Sequence, residues 1–179
     1  MEMANMIKGK KVILRPQTHL DAPFFVHWYN QHRIMFQCGF TQETVLAQEE
    51  EALEKVRDDS VWFTVTDLEG TIIGETGLLR MFPDWHCTDL SIIIPDPQCQ
   101  GHGCGTEAAR LMIQLAFDRY EMNRIAIGVV KKNTDALRFY EKIGFKQEGV
   151  QEQGYYCEGE YSDFVMMRIL RHEWLKVLK

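Results

Sequence analysis

Long apolar runs are missing from this sequence: nothing in its 179 residues approaches the ~20 consecutive apolar positions that would cross a bilayer, and Met1 to Lys11 lacks the apolar core of a signal peptide. Paired cysteine motifs are missing too. Cys38, Cys87, Cys99, Cys104 and Cys157 are odd in number and contain no Cys-x-x-Cys, so neither a disulfide frame nor a zinc site is indicated and no metal ligand is assigned. The expected setting is a reducing cytoplasm, with no membrane partner. Basic charge is scarce: 20 Lys and Arg against 26 Asp and Glu leave a formal net charge of −6, which argues against a nucleic-acid surface and is compatible with a cationic partner or with simple solubility.

What is present is a 45% hydrophobic, 26% charged composition, long enough for one domain over residues 1–179 with its own core. The most informative stretch is Gln98 to Glu107, which follows the apolar run Ile92 to Ile94 and carries glycines at 101, 103 and 105. Its order reads as strand, glycine loop, helix. Glycines at alternate positions let consecutive N–H groups converge on one concave spot, and the helix that begins there adds its positive dipole end, so the spot suits a phosphate. The dinucleotide fingerprint fails, because Thr106 stands where Gly or Ala is needed and Lys131 and Lys132 stand where an acid is expected; no Gly-Lys-Ser/Thr supports a nucleotide P-loop.

Periodicity predicts a strand at Lys11 to Arg15, an aromatic-rich helix at Asp21 to Tyr29, a loop around Cys38 to Thr41 and a helix over Thr44 to Arg57 containing Glu49, Glu50 and Glu51. A meander of Val61 to Thr66, Thr71 to Leu79 and His86 to Ile94 follows. The glycine loop then leads to a helix over Cys104 to Tyr120, a strand at Arg124 to Val130 and a helix over Thr134 to Ile143 stopped by Gly144. Strands at Phe145 to Glu148 and Tyr161 to Leu170 close the chain. This is an α+β order.

Gln98, Gly101 and Gly103 satisfy Gln/Arg-x-x-Gly-x-Gly/Ala, and Asn133 to Phe145 reads N-x-x-A-x-x-x-Y-x-x-x-G-F. With the opening Leu14-Arg15-Pro16, these patterns resemble the GCN5-related N-acetyltransferase (GNAT) superfamily, in the branch that holds ribosomal-protein N-terminal acetyltransferases and bacterial spermidine N-acetyltransferases. The stretch Gln100 to Ala108 resembles that branch's Q-G-x-G-x-A-T-E-A, with Gly105 in place of Ala. The resemblance implies a GNAT fold: a mixed, mostly antiparallel central sheet flanked by helices and splayed between its fourth strand, His86 to Ile94, and its fifth, Arg124 to Val130.

It also implies an acetyl-CoA-dependent transfer of acetyl directly to a primary amine, a small cationic amine such as a polyamine being favoured. The alternatives are a ribosomal or other protein N-terminus, or a non-catalytic acyl-CoA-binding module. Coenzyme A would be held by Ile92, Ile94, Gln100, Gly101, His102, Gly103, Cys104, Gly105, Thr106, Asn133 and Tyr140, with Gly128 to Val130 across the gap. Tyr140 matches the family's general acid.

An alkyl amine with a pKa near ~10 must lose a proton before it attacks. Strand alternation puts Asp89 on one face with Cys87, Ser91 and Ile93, which makes it the first candidate acceptor of that proton, or a solvent-facing polar residue; Glu75 on the adjacent strand is the second. Cys99 and Cys104 beside a helix N-terminus raise an acyl-cysteine route, against which the resemblance implies direct transfer. His102 is given no catalytic role, and a homo-oligomer is left open.

Overall fold

The computed structural model describes residues 6–55, 57–157 and 159–177. Its strands are β1 (Ile7–Lys8), β2 (Ile13–Pro16), β3 (Val61–Thr66), β4 (Ile72–Phe82), β5 (Cys87–Ile93), β6 (Arg124–Val130), β7 (Lys146–Cys157) and β8 (Glu160–Leu170). The helices are α1 (Ala22–Tyr29), α2 (His32–Cys38), α3 (Leu46–Glu54), α4 (Cys104–Asp118), α5 (Thr134–Ile143) and α6 (Arg171–Val177). One sheet runs in the order β1-β2-β3-β4-β5-β6-β8-β7, antiparallel throughout except where β5 meets β6. This is the expected α+β architecture.

The splay is visible in the register. β5 and β6 pair only at Cys87 with Arg124, Thr88 with Ile125 and Asp89 with Ala126. Beyond that point β5 stays bonded to β4 as far as Ile93 and β6 stays bonded to β8 as far as Val130, so the facing edges of Leu90–Ile93 and Ile127–Val130 diverge. These are the fourth and fifth strands of the sequence reading, renumbered because the two-residue β1 precedes them.

Apolar spacing on α4 buries Ala108, Ala109, Met112, Ile113, Ala116 and Phe117 against the meander, in a cluster that also takes in Phe63, Leu78, Leu90, Ile125 and Ile143. Losing a ring such as Phe117 from such a core costs about 3–5 kcal/mol. The expected alternation on β5 holds, with Thr88 and Leu90 buried and Cys87, Asp89 and Ser91 half-exposed.

Several elements differ from the sequence reading. α2 falls partly on the expected Cys38 loop: two turns beginning at Gln31, which makes no side-chain cap, leave no periodic signal, and only its end is marked, by Gly39 in the left-handed region at φ 78°. α3 is shorter than Thr44 to Arg57, and Val56 of that expected helix lies outside the described residues. β7 runs on to Cys157 through a polar stretch, because its pairing with β8 satisfies the backbone whatever the side chains; bulges mark the misfit at Gln147/Gly149 and Gln151/Tyr155. α6 follows β8 directly, held at its start by Glu173, which accepts from the Leu170 amide at 3.2 Å. No helix among the described residues is long and apolar enough to cross a membrane.

Candidate active site

The glycine loop lies at the open end of the splay. Gly101 and Gly103 hold φ of 79° and 86°, values that L side chains rarely adopt, and Gly103 is the N-cap of α4. The first intrahelical bond runs from the Glu107 amide to the Gly103 carbonyl at 3.0 Å, so the amides of Cys104, Gly105 and Thr106 precede any helical acceptor. Gln100 ties the loop to the end of β5, its side-chain amide donating to the Ile94 carbonyl at 2.7 Å. Ile94 packs under the loop: a Cβ added to Gly105 would sit 3.6 Å from its side chain, an ordinary contact, so glycine is not sterically demanded there.

Opposite, Asn133 caps α5 by accepting from the Ala136 amide at 3.2 Å and also donates to the Gln37 carbonyl of α2 at 3.2 Å. Arg33 donates to the Pro95 carbonyl just past β5. α2 therefore reaches both rims of the splay. A cavity of about 310 Å³ lies between α2 and the turn before α5, lined by Arg33, Phe36, Gln37, Lys132 and Asn133 among others.

The three residues considered for proton transfer have different surroundings. Asp89 stands at the apex of the splay, in the last β5–β6 pair, with its carboxylate ion-paired to Arg80. Glu75, on β4 opposite Ile93, is buried and accepts from the Gln17 side-chain amide at 2.7 Å. The Tyr29 hydroxyl lies near this carboxyl, itself buried and without a partner of standard hydrogen-bond geometry among the described residues. Burial pushes the Glu75 carboxyl up to about 7, against the Tyr29 hydroxyl and Gln17 amide that hold it down, and the charge of Glu49 adds to the rise.

Tyr140 is buried on α5 with its ring edge-on to Phe139 and Phe145, and burial raises its hydroxyl above the ordinary tyrosine value. Cys38, at the end of α2, connects the two electrostatically. Burial pushes its thiol up to about 12 with help from the Glu75 charge, and the thiol in turn contributes to the rise at Tyr140. The structure thus brings Glu75, Cys38 and Tyr140 into one neighbourhood. Cys99 and Cys104 are free, half-exposed thiols at the loop, and burial raises the Cys99 thiol, the wrong direction for a nucleophile.

Sequence reasoning missed Gln17, Tyr29 and Cys38. Their elements were legible in part, but no local pattern says that they converge on Glu75. It also gave no role to Arg15 of the Leu14-Arg15-Pro16 opening. Arg15 grips the buried Asp21 with two bonds of 2.8 and 2.6 Å, and the Thr64 hydroxyl and Thr18 amide add 2.6 and 3.0 Å bonds. Burial works against that carboxylate and the bonds outweigh it, holding its pKa below the ordinary value. The clamp fixes the start of α1, the helix that ends in Tyr29.

A loop of free amides at a helix N-terminus, next to two strand edges with unpaired backbone groups, fits a ligand with a phosphate end and an extended arm. Such a cleft suits an acyl-CoA, and the candidate residues for proton transfer, Glu75 and Tyr140, are buried in the same fold. The family profile described as Acetyltransferase (GNAT) domain matches residues 11–146, and the chain belongs to that family: it is an N-acetyltransferase that uses acetyl-CoA. It is 28% identical over 177 residues to the Probable N-acetyltransferase YjcK of Bacillus subtilis (strain 168), covering 92% of this chain and 97% of that one. It is 26% identical over 172 residues to the Spermidine N(1)-acetyltransferase of Escherichia coli (strain K12), covering 95% and 91%. Its fold superposes at a TM-score of 0.86, with 24% identity over 93% of this chain and 99% of the other, on the spermidine N-acetyltransferase from Vibrio cholerae solved in complex with CoA and spermine.

Proposed function

We propose that this enzyme acetylates a primary amine of a small polycation, a polyamine being the preferred acceptor, by direct transfer from acetyl-CoA. The cofactor supplies an activated acetyl thioester. The amides around Gln100 to Thr106 would hold its phosphates, the edges at Ile92, Ile94 and Gly128 to Val130 would receive its arm, and the Asn133 side chain would lie beside that arm.

Glu75 accepts the proton of the incoming ammonium, and Tyr140 gives one to the departing thiolate. The observation that carries this assignment is the buried Glu75 carboxyl lifted to about 7, close to neutrality, where a carboxylate can take the proton of the attacking amine. Asp89, with its carboxylate already engaged by Arg80, is placed second and is assigned to the sheet apex. Tyr140, buried and raised, stays protonated at neutral pH and is poised as a donor. No acyl-cysteine is needed on this path: the bound thioester would supply the acetyl group directly to the amine, with Glu75 taking the amine's proton and Tyr140 protonating the thiolate that leaves.

The polycation preference rests on charge near Glu75. Glu49 on α3 is half-buried, accepts from the Thr44 hydroxyl at 3.3 Å, and is raised by burial; its charge is felt at both Glu75 and Tyr29. Glu43 and Glu51 in the same acidic segment remain exposed. Relatives whose names specify spermidine are consistent with such an acceptor. The test is release of free thiol from acetyl-CoA with spermidine, spermine, alanyl and seryl peptides and an aminoglycoside. Spermidine or spermine should turn over, with a KM that rises severalfold as salt screens the exposed carboxylates. Turnover with the peptides alone would sink the polyamine reading.

A further inference from the structure

Glu107 is an awkward neighbour for a phosphate: it lies in the first turn of the helix whose N-terminus should attract one. The structure deals with its charge. Its two carboxylate oxygens accept the backbone amides of Lys10 at 2.9 Å, Lys11 at 2.6 Å and Val12 at 3.0 Å, so the turn between β1 and β2 is docked onto the start of α4. The docking is close: a Cβ added at Gly9 would stand 2.6 Å from Glu107 Oε2, so any side chain there would have to push the carboxylate off its amides.

The consequence is that Lys11 is delivered to the glycine loop. Its Nζ donates to the His102 carbonyl at 2.7 Å and would lie 3.1 Å from a Cβ built on Gly103. One ammonium hydrogen is used by that bond. The side chain is otherwise exposed, and an ammonium carries three donors. Lys8 and Lys10 share the same turn, so this is a basic edge on an acidic protein.

We propose that the Lys8–Val12 turn is the second wall of the cofactor's phosphate site and that Lys11 is a binding residue, its ammonium pairing with the diphosphate of coenzyme A. The inference rests on the acetyl-CoA reading of the loop. Glu107 is then a positioning residue whose carboxylate is solvated by three amides and which holds the lysine where the ligand's charge will be. The backbone loop supplies shape and neutral donors, and Lys11 supplies the full positive charge that the loop lacks.

The test is calorimetric binding of CoA and of dephospho-CoA, which keeps the diphosphate and lacks the 3′-phosphate, to wild type, Lys11→Met and Lys11→Arg. Binding of CoA by wild type and its loss in Gly103→Val test the loop reading independently of the lysine. Lys11→Met should weaken both ligands by about tenfold or more, as for a hydrogen bond to a charged group, and Lys11→Arg should restore most of the loss. Between roughly 0.05 and 0.5 M salt, wild-type affinity should fall more steeply than that of Lys11→Met, because only wild type has the screened charge pair. Glu107→Gln should show a loss in the same direction; if it does not fold, the Lys11 series stands alone. Unchanged affinity in Lys11→Met, a loss confined to CoA, or equal salt slopes in the two proteins would each overturn the proposal, the last by reducing Lys11 to a prop for the His102 carbonyl.

Discussion

The proposed phosphate end of the cleft is made from the backbone of one contiguous stretch, Gln98 to Glu107, whereas the proposed acceptor end gathers side chains from the turn after β2 (Gln17), from α1 (Tyr29), from α2 (Cys38) and from β4 (Glu75). The first depends on φ values that only glycine adopts easily and on a helix terminus. The second depends on burial and on which polar groups are left near a carboxyl. A contiguous backbone site tolerates changes of side chain and fails when a glycine held at positive φ, such as Gly101 or Gly103, is lost. A convergent side-chain site tolerates backbone variation and fails when one polar atom is removed.

The largest effect should come from breaking the first half. Gly103→Val puts a β-branched residue at φ 86° and a Cβ 3.1 Å from the Lys11 ammonium, so CoA binding should fall below calorimetric detection while circular dichroism stays native. Undiminished affinity in the folded variant would remove this loop as the phosphate site. In the second half, Tyr140→Phe keeps the ring packed against Phe139 and Phe145 and deletes only the hydroxyl. Here kcat should drop about a hundredfold or more with little change in CoA affinity, as for a lost general acid. Full turnover would make Tyr140 a core residue and nothing else.

A smaller effect concerns stability. The Glu75 carboxyl is lifted above its unfolded value, so the folded state holds a proton that the unfolded chain releases, and stability contributed by that proton is lost as pH rises from about 4.5 through about 7. Glu75→Gln has no such loss. It should be more stable than wild type at pH 8 by up to about 3 kcal/mol, and nearly equal to it at pH 4. Denaturant unfolding at the two pH values measures the gap; a gap that does not widen with pH would mean that the site does not strain the carboxylate.

The same contrast explains what was legible in the sequence. The glycine loop, Asn133 and Tyr140 sit in short patterns with fixed spacing, and α5 was readable to the residue because Asn133 starts it and Gly144, at φ 108°, ends it. The β5–β6 splay followed from the family likeness. α2 was not legible, since seven residues carry too little periodicity, and with it went the position of Cys38. The sequence put Asp89 ahead of Glu75 on strand alternation, which gives the face of a strand and not whether Arg80 or Gln17 waits on that face. The structure supplies those partners and moves Glu75 ahead of Asp89 as the proposed base. Glu107 shows the same limit from the other side: its place in the motif was plain, but its three bonds reach almost a hundred residues back along the chain.

The most direct test of the account is the pH dependence of kcat/KM for an amine acceptor, measured for wild type, Glu75→Gln and Asp89→Asn. Wild type and Asp89→Asn should share a rising limb with an apparent pKa near 7, and Glu75→Gln should lose that limb along with most of its rate. A limb that persists in Glu75→Gln and disappears in Asp89→Asn would contradict the assignment and return the proton to the apex of the splay.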